Sequence, residues 1–215
     1  MNNKKNNNHG RSMIEMLGVL AIIGILSVGG IAGFSKAIER HRINETINQI
    51  TLIAQNTRDL FKSQNNYSGL HSSLISMSDT TYANRILADK ALLFPESLRG
   101  SNYENLFGGD IYLYRHNRFS ADDGKAFALA FHGIPKSACL ELATREWQGS
   151  LGLVALRVQG SSNSTTLGTA FEGNCTTSHA QGNAVVCAAD LPMPLSYAVE
   201  ACDTKNANIL RFKFY

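Results

Sequence analysis

Gly10-Arg11-Ser12-Met13-Ile14-Glu15, followed by nineteen uncharged residues from Met16 to Phe34, is the stretch from which the rest of this 215-residue chain is read. As a helix the apolar run rises about 28 Å, close to the thickness of a bilayer's hydrocarbon core. An ionised acid deep in such a helix costs roughly 2.5 to 3.5 kcal/mol on insertion scales and less near the rim, so Glu15 is a functional candidate that calls for a cationic partner. The ten residues before it, Met1 to Gly10, are Asn-rich, carry Lys4 and Lys5, and hold no acid. That flank predicts a cytoplasmic N-terminus, with everything after Phe34 sent across the membrane. A secretory signal shares the basic flank, but its apolar core is shorter and ends at a small-x-small site, which Ile31-Ala32-Gly33 matches poorly. A plain signal anchor, in which Glu15 only marks the end of the span, is the bland alternative.

Past Phe34 the pattern turns amphipathic. Ile43, Ile47, Ile50, Ala54 and Phe61 recur at three, four and seven residue steps, with Lys36, Glu39, Arg40, Arg42, Glu45, Arg58, Asp59 and Lys62 between and around them. No proline interrupts Met13 to Gln64, so one helix about 75 Å long can reach from the membrane into a globular domain, its apolar stripe packed on that domain's own sheet. Gly18, Gly24, Gly29, Gly30 and Gly33 lie inside the apolar half, Gly29 and Gly33 at GxxxG spacing. Small residues permit close helix approach, and each glycine also weakens a helix by about 1 kcal/mol relative to Ala. Tight packing between subunits and local helix melting are both compatible with them.

The remainder suits one globular domain. Asn65 to Gly109 reads as a connecting region with a short helix around Tyr82 to Leu93 and a break at Pro95. Strand patterns follow at Asp110 to His116 and Lys125 to His132, joined through Ser120-Ala121-Asp122-Asp123-Gly124, an Asp-Gly hairpin signal. Ile134 to Trp147 reads as a helix with Pro135 near its first turn, and Leu151 to Val158 as an apolar strand. A polar loop from Gly160 to Asn183 precedes a short strand at Ala184 to Cys187. Leu195 to Cys202 is helical, and Asn208 to Tyr215 alternates as a closing strand. A long helix followed by an antiparallel sheet is an α+β arrangement.

Little else in the chain points to chemistry. The formal charge is +3, of which Lys4 and Lys5 supply two, so residues 11–215 carry +1, which argues against a nucleic-acid-binding surface. Asp122 with Asp123 falls short of a calcium loop. The six histidines show no ligand spacing, and there is no GxSxG elbow or phosphate-binding glycine loop. Cys139, Cys175, Cys187 and Cys202 all lie beyond the apolar segment; an even count in an oxidising compartment points to two disulfides, with three pairings open. The absence of any CxxC argues against zinc.

Gly10, Glu15 five residues on, and the apolar helix that follows together resemble the processing site of type IV prepilins. The resemblance implies cleavage after Gly10 by a prepilin peptidase, a new N-terminus at Arg11, often methylated, and a Glu15 carboxylate that neutralises a neighbouring subunit's α-amine during assembly. Burying Glu15 in a filament core without such a partner would be very costly. The family usually begins its mature chain with an aromatic or aliphatic residue; here Arg11 stands there, and its guanidinium could share the carboxylate. Gly133-Ile134-Pro135-Lys136-Ser137-Ala138-Cys139, with Cys202 near the C-terminus, looks more specifically like the type IVb class, including pilins of conjugative thin pili. That likeness favours a Cys139 to Cys202 disulfide and leaves Cys175 for Cys187.

The resemblance implies the type IV pilin fold, in three parts: a leader over 1–10, an apolar transmembrane and filament-core helix over 11–34, and a globular domain over 35–215. It implies a structural subunit with no cofactor, held in the inner membrane as precursor and forming an extracellular homopolymer for adhesion, aggregation or conjugation. The implied partners are the prepilin peptidase, an assembly ATPase, an inner-membrane platform protein and an outer-membrane secretin. A minor pilin or secretion pseudopilin would keep the fold and change the role. A membrane-tethered enzyme is the reading from another class, and the missing catalytic motifs argue against it.

Overall fold

The computed structural model describes residues 13–100, 102–117, 124–147, 152–160, 171, 175–203 and 207–215. Helix α1 runs unbroken from Met13–Phe61, with Glu15 in its first turn and Arg58 in its last, each the charge that the helix dipole favours at that end. The chain divides into two compact units, residues 1–41 and 42–215. In the first, the apolar residues of α1 from Met13 to Phe34 are exposed on every side of the helix. Its two serine hydroxyls bond back into the helix, Ser27 Oγ to the Ile23 carbonyl at 2.7 Å and Ser35 Oγ to the Ile31 carbonyl at 2.9 Å. They thus add no unsatisfied donor to the apolar surface.

In the second unit α1 presents Ile43, Ile47, Ile50, Ile53, Ala54 and Phe61 to the core. Two short helices follow, α2 at Ala83–Ala91 and α3 at Glu96–Gly100. Six strands then build one antiparallel sheet: β1 Ile111–His116, β2 Ala126–Ile134, β3 Leu153–Gln159, β4 Ser178–Ala180, β5 Asn183–Cys187 and β6 Asn208–Phe214. Helix α4, Lys136–Thr144, separates β2 from β3, and α5, Leu195–Ala201, lies between β5 and β6. The order across the sheet is β1-β2-β6-β3-β5-β4, so the last strand of the chain sits at its centre.

Strand alternation sorts the side chains. Phe127, Leu129 and Phe131 of β2, Leu156 and Val158 of β3, and Leu210, Phe212 and Phe214 of β6 share one core with the α1 stripe. The opposite face carries Ala128 and Ala155, on which Phe171, Tyr114 and Val185 gather as a smaller cluster. Arg157, Arg211 and Lys213 are buried on that face, Arg157 directly across from Arg211. Lys213 Nζ donates to the Phe171 carbonyl at 3.0 Å, and Arg157 Nε to Asn183 Oδ1 at 3.1 Å.

Two disulfides fasten the sheet's surroundings. Cys139 of α4 is joined to Cys202 beyond α5 with an S–S distance of 2.01 Å, and Cys175 to Cys187 at the end of β5 with 2.11 Å. Two local expectations are corrected. The helix expected from Ile134 begins at Lys136, because Ile134 still pairs with Asn208 in the sheet and Pro135 caps the helix. The loop expected over Gly160 to Asn183 contains β4, paired with β5 through Ser178, His179 and Ala180. Pro95 ends one segment and opens α3, its carbonyl accepting from the Leu98 and Arg99 amides. β1 and β2 pair as the hairpin signal predicts. Asp122 and Asp123 of its turn lie outside the described residues.

Candidate assembly site

Glu15 stands one turn into an apolar helix, flanked by Ile14, Met16 and Leu17, each more than half exposed. Gly10 and Arg11, the expected processing site, lie outside the described residues. Thirteen large apolar side chains between Met13 and Phe34 are exposed, with nothing among the described residues to cover them. The helix is long and apolar enough to cross a membrane. Burying each such side chain away from water is worth roughly 1.5 to 3 kcal/mol, so the segment must sit in lipid or among other apolar helices. A Cβ added at Gly18, Gly24, Gly29, Gly30 or Gly33 would meet nothing within 4 Å. The fold of one chain therefore places no steric demand on these glycines, although each weakens the helix.

Among the described residues no three His, Cys, Asp or Glu side chains come together as a metal site. His116 and His132 are half-buried on the outer sheet face, and desolvation there pushes the pKa of each down to about 4, helped by Arg211 beside both and Lys213 beside His116. They are neutral, structural imidazoles at neutral pH.

What the sequence did not reveal is how the region between α1 and the sheet is held. Asn84 is fully buried at the start of α2. Its Oδ1 accepts from the His71 amide at 2.6 Å, and its Nδ2 donates to Leu113 O at 2.7 Å, to the Tyr82 hydroxyl at 2.8 Å and to His71 O at 3.2 Å. Arg85 Nη1 donates to Met77 O at 3.1 Å, Ser78 O at 2.9 Å and Asn102 Oδ1 at 2.8 Å, and its guanidinium lies 4.7 Å over the Tyr103 ring. Asp89 accepts from the Tyr103 hydroxyl and faces Arg85 Nε at 3.6 Å. An amide and a guanidinium in a short helix look like surface residues in one dimension; their partners come from the turns of 71–78, from Leu113 of β1 and from Asn102 and Tyr103, all distant in sequence.

The PilS N-terminal family matches residues 40–190 of the chain, which takes in most of the second unit. The chain belongs to that family. This pilin is also similar to TcpA, a type IV pilin from Vibrio cholerae El Tor biotype, with a TM-score of 0.53 at 18% identity, over 81% of this chain and 99% of that one. The likeness is one of fold: an apolar N-terminal helix and an antiparallel sheet. A type IVb pilin from Salmonella typhi matches with a TM-score of 0.41 at 15% identity, over 78% of this chain and 95% of that one. No curated protein matches the sequence. By family the chain is a PilS-like pilin, and its fold is that of a type IV pilin.

Proposed function

We propose that this pilin is inserted in the inner membrane through α1, cut after Gly10 by a prepilin peptidase, and polymerised through the apolar half of α1 into an extracellular filament. The observation that carries this reading is the run from Met13 to Phe34, apolar and exposed on all sides, with Glu15 alone charged within it. In lipid such a helix is already solvated by hydrocarbon, so moving it into a filament core exchanges tails for side chains, and cohesion comes from packing and specific polar pairs. Glu15 supplies one pair, its carboxylate meeting the α-amine of a neighbour's Arg11 and sharing the charge with that residue's guanidinium. An assembly ATPase, a platform protein and a secretin drive and guide extrusion, and the filament serves adhesion, aggregation or conjugation.

The test has two readouts. The N-terminal peptide of protein sheared from cells should begin at Arg11; a start near Phe34, or an intact Met1, would refute the processing. Glu15→Ala should insert and be trimmed normally yet give far fewer filaments, and full piliation in that variant would remove the proposed pairing.

A further inference from the structure

A polar groove of about 650 Å³ opens beside the C-terminal end of α1, where the chain leaves the helix and passes the end of the sheet. Among the described residues its charged side chains are Arg58, Lys62 and Lys125 against Asp59. The sum is positive, and it stays so even with a terminal carboxylate counted on Tyr215. Gln55, Gln64 and Asn65 bring exposed amides to the same wall, groups that donate and accept at once. Tyr67 and Tyr215 supply aromatic surface with a polar tip.

The base of the groove is rigid. The Tyr67 ring lies between Phe61 and Phe127, with centroid distances of 5.3 and 4.8 Å, and its amide donates to the Gly124 carbonyl at 2.7 Å. The Arg58 side chain lies over Gly152, where a Cβ would come within 3.3 Å of the guanidinium carbon, and its charge acts on the Tyr67 hydroxyl. Gly152 has φ +62, its carbonyl accepts from the Tyr215 amide at 2.8 Å, and a Cβ there would come within 2.6 Å of the Tyr215 carbonyl, so this close approach requires glycine. A fixed guanidinium and aromatic ring, bordered by ammonium groups on flexible stems and by amides, match one ligand chemistry well. Carboxylate or sulfate groups meet the cations in charge-assisted bonds, hydroxyls meet the amides, and the apolar face of a sugar ring lies on the exposed ring of Tyr215. An open groove also admits the middle of a polymer, where a closed pocket would take only an end.

We propose that the groove formed by Arg58, Lys62, Tyr67 and Lys125 binds an acidic oligosaccharide. The groove is built within residues 55–215 and owes nothing to Glu15 or to polymerisation, so binding and assembly are separable. Full-length chain in detergent micelles is titrated calorimetrically with a heparin-derived hexasaccharide, with maltohexaose as neutral probe and inorganic sulfate as bare ion. Saturable binding of the acidic hexasaccharide is expected, at least tenfold tighter than either control. Lys62→Gln with Lys125→Gln should weaken it roughly tenfold or more, since each lysine gives a charge-assisted contact. Lys36→Gln with Lys90→Gln, which removes two cations elsewhere, should leave it within about twofold. Equal loss in both variant pairs, equal affinity for maltohexaose or sulfate, or no saturable binding would overturn the proposal.

Discussion

Asn84→Leu gives the sharpest test of how this pilin holds its connecting region. The replacement is close in volume and apolar, so it removes polar bonds without opening a large cavity. Asn84 is fully buried, and it satisfies the His71 amide, the Leu113 carbonyl and one acceptor site on the Tyr82 hydroxyl. The Tyr82 hydroxyl keeps its bond to Ser73 O, so two backbone groups are orphaned outright. A buried group left unsatisfied costs about 1 to 3 kcal/mol, so the expected loss is about 4 kcal/mol. For a chain of this size that corresponds to a fall of roughly 8 to 16 °C in melting temperature. Urea unfolding of the full chain in micelles, followed by fluorescence of the single tryptophan, Trp147, reads it directly, since that ring is buried edge-on to Phe212. Asn66→Ala is the control. Asn66 Oδ1 bonds Ser68 in an exposed turn, so its loss should stay within about 0.5 kcal/mol. A cost below about 1 kcal/mol for Asn84→Leu would refute the reasoning.

Acid should destabilise the globular unit through His116 and His132. Each takes up its proton near 6.5 when unfolded and only near 4 when folded, so their contribution is complete above pH 6.5 and is lost as the pH falls toward 4, by up to about 3 kcal/mol each. Urea midpoints measured at pH 7.5 and 4.5 should show the loss, and His116→Gln should flatten it. The two disulfides close rings of different size, with sequence separations of 63 and 12. Replacing Cys139 and Cys202 with Ser should therefore cost about 4 kcal/mol, against about 3 for Cys175 and Cys187; the reverse order would contradict loop-entropy control. Gly29→Ala with Gly33→Ala should raise the helicity of the unassembled chain, by up to about 1 kcal/mol each, since a methyl there meets nothing. It should also lower filament yield, and unchanged yield would show that assembly makes no use of these glycines.

Much of this architecture is legible in one dimension where the signal is local and periodic. The α1 stripe from Ile43 to Phe61 follows from helical spacing, and the alternation in β2 and β6 follows from strand spacing, because both report which face meets the core. The sheet order does not follow. Placing β6 between β2 and β3 is decided by long-range pairing such as Leu210 with Phe131 and with Val158, for which no local pattern exists. Arg157, Arg211 and Lys213 read as the solvent side of alternating strands, yet all three are buried, with Phe171 lying over Lys213. Strand β4 is three exposed residues long and hides inside a polar loop. At the candidate assembly site, Glu15 is readable because a charge in an apolar run is rare. The groove at the end of α1 is not, since its parts come from residues 55–67, from Lys125 and from Tyr215.

One edge of the sheet is sealed by the chain's own connecting region. On β1 the Ile111 carbonyl accepts from the Met77 amide, the Leu113 carbonyl from Asn84 Nδ2, and the Arg115 amide donates to His71 O. At the other edge β4 offers only Ser178 to Ala180. Exposed strand edges recruit other strands, and the hazard grows with crowding. In the filament proposed above, identical pilins would meet one another at very high local concentration, with sheets that could zip together out of register. Sealing β1 would withdraw the longer template from that competition and leave orderly association to the helices.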